Sequence, residues 1–506
     1  MSSKLPPTVL VAANKPEESF TAIDSSRLTK WMHAVLVEMD AVQKHFKPNH
    51  VHDLRVALRR CRSIAQGLAE LDPDSAWTRL RKEAKKPLAG LGSLRDTDVM
   101  RGWISRLHVN DKPSTDRLLA KLEEVERAAI RSAEKELSNF DKKQWRKWTH
   151  HLPSRATRIV SDSPAAELLA LERWHEAWEA HRHALKTRSK TSLHRVRIAL
   201  KRFRYSVENF LPAHHTEWGR ALRKLQDILG EIHDLDVLST EIARLRPPLS
   251  ATVRAKWHGV IQAERASRLA SYRAKMSGPK SRWQLWRHAL PEGGSLERAR
   301  MDWLAVWAAF LDPDFSHSAY VTKIALQLFD GILKAGVPVI LPFKARSTLE
   351  AAAILHDVGR AEGHHHHQKS SYRMIREKTP PPGWTAAEME IVASVARYHR
   401  GALPNAGQKS WAAIPANHRE AVLILAGILR LATALGSDAN SAISEVKVES
   451  VEEPAGSVIV RVGGYSGEEP LASRLATDRH LLESVLHRPI VIEPGADRAR
   501  GISAGV

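Results

Sequence analysis

From Ser25 to about Lys275, apolar residues recur at intervals of three and four, the period of an amphipathic helix. Pro48, the Asp72-Pro73 pair, Pro153, Pro164 and Pro247-Pro248 punctuate that pattern, so it divides into a series of helices. Residues 1–22 show no period, are polar and proline-dotted, and are expected to be a disordered tail. Ser277-Gly278-Pro279 and Pro291-Glu292-Gly293-Gly294 bracket a stretch holding Trp283 and Trp286, which reads as a linker over 276–298. A second helical region follows over 299–440, interrupted by a Pro380-Pro381-Pro382-Gly383 loop. Beyond it the period changes to two. Glu445 to Glu449 and Ser457 to Val462 alternate as strands do, Leu471 to Leu486 reads as a helix, and Pro489 to Ile492 as a short strand. The expected fold class is mainly α: a duplicated helical bundle over 23–275, an all-α domain over 299–440, and a small ββαβ domain over 441–495 before a tail at 496–506.

Two of the predicted helices carry the same basic pattern about 140 residues apart. His52, Arg55, Arg59, Arg60 and Arg62 fit H-x-x-R-x-x-x-(K/R)-R-x-R, and so do His194, Arg197, Lys201, Arg202 and Arg204. At roughly 100° per residue, positions 52, 55, 59 and 62 fall within about 80° of one another, as do 194, 197, 201 and 204. Arg60 and Arg202 point off the edge of their stripes. Like charges at i,i+4 destabilise a helix, so two stripes that stack them in register are most simply read as a site for a polyanion.

The downstream segments match as well. Gly92-Ser93-Leu94-Arg95-Asp96-Thr97-Asp98-Val99 is echoed by Gly230-Glu231-Ile232-His233-Asp234-Leu235-Asp236-Val237, each about 40 residues after its basic helix. Two motifs in the same order at nearly equal spacing indicate an internal duplication. With these motifs residues 23–275 resemble the CHAD domain, a duplicated helical bundle named for its histidines. The resemblance implies that inorganic polyphosphate binds in a basic pore lined by the paired helices, through His52, Arg55, Arg59, Arg60, Arg62, His194, Arg197, Lys201, Arg202 and Arg204. His52 and His194 admit two roles, phosphate contact or orientation of a neighbour. Asp96, Asp98, Asp234 and Asp236 read as caps or as partners that hold arginines, because a carboxylate facing a polyanion repels it.

Charge supports an anionic partner. The 77 lysines and arginines exceed the 57 acidic residues, for a net charge of +20, which favours nucleic acid, polyphosphate or an anionic surface and says nothing of fold. A single cysteine, Cys61, excludes an intrachain disulfide and points to a reducing compartment. No apolar run reaches the length of a membrane span, so no membrane partner is expected. A cytoplasmic location, with association to polyphosphate granules, is the expectation, and a homodimer is compatible with the sequence.

The second region offers different chemistry: His317, then Leu355-His356-Asp357-Val358-Gly359, the run His364 to His367, and Ala396-Arg397-Tyr398-His399-Arg400. A His-Asp pair with a histidine about 39 residues upstream is the ligand pattern of the HD phosphohydrolases. With Leu429-Arg430-Leu431-Ala432-Thr433-Ala434-Leu435-Gly436 and the Gly464-Tyr465-Ser466-Gly467 segment, the region resembles the C-terminal part of the exopolyphosphatase and guanosine pentaphosphate phosphatase family. That resemblance implies a metal, manganese or magnesium, held by His317, His356 and Asp357. The family pattern places an aspartate where this chain has Thr433 and another at Gly436, and Asp438 lies about 140° round the helix from Thr433. No glycine-rich phosphate loop such as G-x-x-x-x-G-K-(S/T) is present.

Two readings of His356-Asp357 stay open at this level, a vestigial scaffold or an active metal centre. His364 to His367 is expected to be a solvated loop, and Lys369, Arg397, His399 and Arg400 either a secondary phosphate surface or ordinary surface charge. The preferred function is polyphosphate binding without a required cofactor, with the second region as an accessory or regulatory unit. The alternatives are a metal-dependent phosphohydrolase acting on polyphosphate or a phosphorylated nucleotide, and a nucleic-acid binder in which some of the 15 tryptophans stack bases. Helical spacing of Trp145, Trp148, Trp174, Trp178, Trp303 and Trp307 favours packing for those six.

Overall fold

The structure is a computed structural model that describes residues 22, 25–342, 344–437, 443–451 and 456–495. It falls into two compact units that divide between Ala299 and Arg300. The first holds α1 (Ser25–Lys44), α2 (Pro48–Leu71), α3 (Ser75–Gly90), α4 (Gly92–Leu107), α5 (Lys112–Ser138), α6 (Lys142–Ala156), α7 (Pro164–Thr187), α8 (Lys190–Phe210), α9 (Pro212–Arg244), α10 (Ala251–Met276) and α11 (Arg282–His288). The division falls within α12 (Gly293–Leu311). Local sequence sets these boundaries. Prolines open α2, α7 and α9, where the missing N–H has no intrahelical partner to lose. The side chains of Asp74, Ser163, Ser189 and Ser250 accept from the first-turn amides of α3, α7, α8 and α10. Pro153, expected to break a helix, instead lies in the last turn of α6.

The duplication is visible in the packing. The α1–α2 hairpin is matched by α7–α8, and α2 and α8 pack on each other across the two halves. The Gly92 motif opens α4 and the Gly230 motif lies inside α9, so α3 and α4 together correspond to the single helix α9. The two halves also differ in sequence just before the motif. Pro87 sits in α3 and supplies no N–H, and the helix is interrupted at Leu91; five residues before the second motif the chain has Leu225, and α9 runs unbroken for 33 residues. A core of Met100, Trp103, Leu235, Leu238 and Trp257 ties α4, α9 and α10 together.

Residues 276–298, expected to be a linker, are part of this unit. Trp283 and Trp286 on α11 are buried at 0% and 1% exposure. Their rings lie 5.5 Å apart edge to face, and Trp286 also packs on Phe203 and Trp218. Trp174 Nε1 donates to the Trp283 carbonyl at 3.2 Å. The glycines and prolines mark turns at the ends of a docked helix, and two indoles outweigh them.

The second unit carries α13 (Phe315–Lys334), α14 (Ala345–Leu355), a 3-10 turn (Val358–Glu362), α15 (His367–Glu377), α16 (Ala386–Tyr398), α17 (Lys409–Ala412), α18 (Ala416–Gly436), β1 (Val446–Val451), β2 (Ser457–Val462), α19 (Leu471–Asp478), α20 (His480–Leu486) and β3 (Ile490–Pro494). The sheet order is β1-β2-β3, with β1 antiparallel to β2 and β2 parallel to β3. The protein is thus mainly α with a small C-terminal sheet, the expected class. The ββαβ element is packed onto the helices. Tyr320 Oη of α13 donates to the Ile443 carbonyl at 3.0 Å, and β1 and α20 lie against α13 and α18. Among the described residues no helix is long and apolar enough to cross a membrane.

Candidate functional site

The α2–α8 crossing brings the two basic stripes together. Gly67 of α2 lets the helices approach, since a Cβ there would meet the Phe210 ring of α8 at 2.3 Å. Asn209 Nδ2 donates to Ser63 Oγ at 3.3 Å across the same contact. Arg55, Arg59, Arg62, His194, Arg197, Lys201 and Arg204 are all half-buried along it, whereas His52 and Arg202 are exposed.

The stripes are not equally compensated. Arg60 pairs with Glu208, and Arg204 lies 3.8 Å from the other oxygen of that carboxylate while packing over Tyr205. Arg202 lies 3.5 Å from Glu176. Arg55 donates to the carbonyl of Leu91, at the interruption between α3 and α4; α9 has no such interruption for Arg197. Among the described residues the side chains of Arg59, Arg62, Arg197 and Lys201 have neither a hydrogen bond nor a carboxylate partner within salt-bridge distance.

The field of this cluster is felt by its members. Burial, then Arg59, Arg197, Arg62 and Arg204, push the Lys201 amine down to about 7. Burial and then Arg59 bring Arg55 down to about 10, with Asp96 opposing. Burial, then Arg81 and Arg202, lower Arg62. A lysine carried from 10.5 to about 7 corresponds to roughly 5 kcal/mol against its charged form, which an anion bound beside it would offset.

The duplicated acidic motifs flank the same place. Burial raises Asp234 to about 6 against the pull of Arg197, with Asp96 also raising it. His194 and His233 lie 4.7 Å apart ring to ring, and burial and Arg197 lower both. Asp236 holds Arg265 at 3.0 Å and Lys190 at 3.3 Å, while Asp98 faces Arg101 at 3.4 Å on the surface. None of the four is a helix cap. Sequence reasoning missed Glu208 and Glu176, which take the off-stripe arginines, and Arg81 of α3, which joins the cluster beside Arg62; the Arg79-Leu80-Arg81-Lys82 stretch of α3 gave only a short basic run as a signal.

In the second unit, His356 closes α14 and Asp357 follows it into the 3-10 turn. One donor atom from each of His356, Asp357 and His399 lies within 4.8 Å of the others, and all three residues are buried. The geometry is built locally. His356 Nδ1 lies 2.7 Å from the Ala353 carbonyl and His399 Nδ1 2.6 Å from the Ala396 carbonyl, so each ring has its Nε2 turned inward. Ser371 Oγ donates to the His356 carbonyl at 2.7 Å and accepts from Gly359 N at 2.9 Å, fixing α15 against the turn. Asp357 Oδ1 lies 3.7 Å from His356 Nε2 and 3.0 Å from His367 Nε2, and its Oδ2 is 3.1 Å from Arg360. Although burial opposes it, His356 and the other rings hold the Asp357 carboxyl far below the usual range. Burial keeps His399 well below the ordinary imidazole value.

Several expectations change here. His317 is not among the converging donors; its Cε1 would lie 3.6 Å from a Cβ at Gly436, beside the end of α18. Thr433 Oγ donates to the Leu429 carbonyl at 2.8 Å, along its own helix. Asp438 lies outside the described residues. Within the histidine run only His364, His365 and His366 are exposed, and His367 is buried at the start of α15. His399, read as surface, is buried at 2% exposure. Its signal was its place at the C-terminal end of an apolar helix, which turns it inward as His356 is turned.

Residues 27–243 match the CHAD domain. Residues 307–473 match Ppx/GppA phosphatase, domain III. A crystal structure of the CHAD domain from the plant Ricinus communis is 22% identical, covering 57% of this chain and 98% of its own, with a TM-score of 0.37. No curated protein matches.

Proposed function

Because the chain joins a CHAD domain to a region matching Ppx/GppA phosphatase domain III, we propose that it is an inorganic polyphosphate-binding protein whose first unit holds the polymer at the α2–α8 crossing. One observation carries this reading. Arg59 and Arg62 of α2 and Arg197 and Lys201 of α8 share a half-buried place where, among the described residues, none of the four has a carboxylate within salt-bridge distance, while the off-stripe Arg60 and Arg202 are already paired. A solvated, salt-bridged face would have paired all of them. A linear chain of phosphates supplies closely spaced negative charges, and the forked guanidinium suits bidentate contact with them.

Arg55, Arg59, Arg62, Arg197, Lys201 and Arg204 would line the polymer's path, with Arg81 extending it. His194 has His233 and Arg197 against it and serves to shape the crossing; His52 is exposed and is free to meet phosphate. The second unit then acts as accessory recognition or regulation. The buried His-Asp cluster favours a second reading, a metal-dependent phosphohydrolase in which that unit cleaves what the first unit holds.

The test is competition at matched phosphate content, with the purified chain, long-chain polyphosphate, and single- and double-stranded DNA at physiological salt. Polyphosphate should bind at least ten times more tightly than either DNA and survive with no phosphate released. Equal competition by DNA would replace the reading with nucleic-acid binding. Phosphate release that His356→Ala abolishes, with binding intact, would establish the hydrolase.

A further inference from the structure

Trp303 and Trp307 lie one turn apart on α12 and are buried at 6% and 8% exposure, yet a lysine lies over their rings. Lys378 follows the last residue of α15 and caps it, its backbone N–H donating to the Met374 carbonyl. From there its amine reaches to 3.8 Å from the Trp303 ring centroid and 4.6 Å from that of Trp307. Among the described residues that amine has no hydrogen bond and no carboxylate within salt-bridge distance. The charged neighbours are turned elsewhere: Glu377 meets Arg373 at 3.2 Å, Arg376 meets Glu390, and Arg300 Nε donates to the Pro382 carbonyl at 2.7 Å. Lys344 also faces an indole, that of Trp384 at 5.9 Å, but Glu388 holds its charge. An ammonium with only ring faces around it is a poor ion. The rings attract a cation, while burial, with no carboxylate to offset it, pushes the Lys378 amine down to about 7. The residue as a whole is half-buried, so the slot opens to solvent.

We infer that Lys378, seated between Trp303 and Trp307, is a nucleophilic amine and a modification site for small acyl donors of the acyl phosphate class. Desolvation in an apolar slot makes a lysine nucleophilic without a neighbouring base. The free-base Nζ attacks the carbonyl carbon, and the bond from that carbon to the bridging phosphate oxygen breaks. Orthophosphate leaves with the electron pair, and the proton lost from nitrogen passes to water. No oxidant or reductant enters. The amide product suits the slot better than the ammonium it replaces, because it is neutral and its acyl methyl packs on the indole faces. A carbamate or a phosphoramidate would set negative charge against the negative ring faces, so neutral acyl transfer is favoured over both. The competing account is a structural clasp, in which a protonated Lys378 ties α15 to α12 through the two rings. The inference is independent of polyphosphate binding, since its residues lie wholly in the second unit.

Brief exposure of the folded full chain to acetyl phosphate at a series of pH values, with acetylation of each lysine followed by peptide mass spectrometry, tests it. Near neutral pH an amine at about 7 is roughly half free base, against about one part in a thousand or less for an ordinary lysine. A weaker base is also a weaker nucleophile, so the net gain in rate should be on the order of 10-fold. Lys378 should therefore be acetylated at least about 10-fold faster than Lys344 and the exposed lysines, and its rate should level off above about pH 8. In urea, where the slot is gone, Lys378 should react like the others. The wild-type chain supplies every reading, so no variant has to fold. A smaller ratio in the folded chain, or a Lys378 rate still rising above about pH 9, would overturn the inference in favour of the protonated clasp.

Discussion

Replacing Arg59 and Arg197 together by glutamine removes two cations that have no protein partner, one from each side of the α2–α8 crossing. Each cation withdrawn from the polymer's phosphates should flatten the dependence of log K on log salt by about 0.7 for a single-stranded polyanion. The pair should therefore reduce the slope by about 1.4. Between 50 and 200 mM salt, the wild type would lose roughly sevenfold more affinity than the variant. At fixed physiological salt the variant should bind roughly 100-fold more weakly, taking about 1.5 kcal/mol for each hydrogen bond to a charged group. Arg60→Gln with Arg202→Gln removes the same formal charge from the same helices, yet these side chains already meet Glu208 and Glu176. Glu176 keeps Arg173 and Glu208 keeps Arg204 as partners, so affinity falls, but the salt slope should change by less than half as much. Fluorescence anisotropy of labelled polyphosphate, titrated at four salt concentrations, measures both quantities. Equal slope changes in the two double variants would refute the distinction between paired and unpaired cations, and with it the assignment of the site.

Affinity should fall as pH rises from 6 to 8. Lys201, near 7, loses its charge over that range, and Asp234, near 6, gains one, so both changes oppose an anion. Binding should take up protons, read by calorimetry in buffers of different ionisation enthalpy, and Lys201→Arg should remove the lysine part; a flat pH profile would contradict this. Trp286→Ala should cost about 3–5 kcal/mol in urea unfolding of the first unit, whereas a linker residue would cost under 1. Gly359→Ala should lower the melting temperature, because a Cβ there would sit 2.2 Å from the His367 carbonyl oxygen and 2.4 Å from Ser371 N, backbone atoms that cannot step aside.

The two stripes were legible because a helix converts sequence spacing directly into a face, and the duplicated motif fixed which faces to compare. What joins them was not. Glu208 is four residues from Arg204 on the same helix, but its claim on Arg60 depends on where α2 crosses α8, which spacing along one helix does not encode. The same limit applies to His399 and His367, which lie on different elements and meet His356 and Asp357 only through tertiary packing. His317 fitted a family pattern whose partner aspartate this chain replaces with Thr433 and Gly436, and the structure leaves it beside Gly436. The glycine and proline pairs around Trp283 and Trp286 looked like a linker because turn residues are read locally, while the burial of two indoles depends on Trp174, Phe203 and Trp218 far away in sequence.

Calorimetric titration of long-chain polyphosphate into the wild-type chain and into a variant with Arg59, Arg62, Arg197 and Lys201 all changed to glutamine tests the central claim most directly. Both should be folded by circular dichroism. The expected result is saturable, salt-sensitive binding to the wild type and at least a 100-fold loss in the variant. Undiminished binding by the folded variant would show that the polymer lies elsewhere than the α2–α8 crossing.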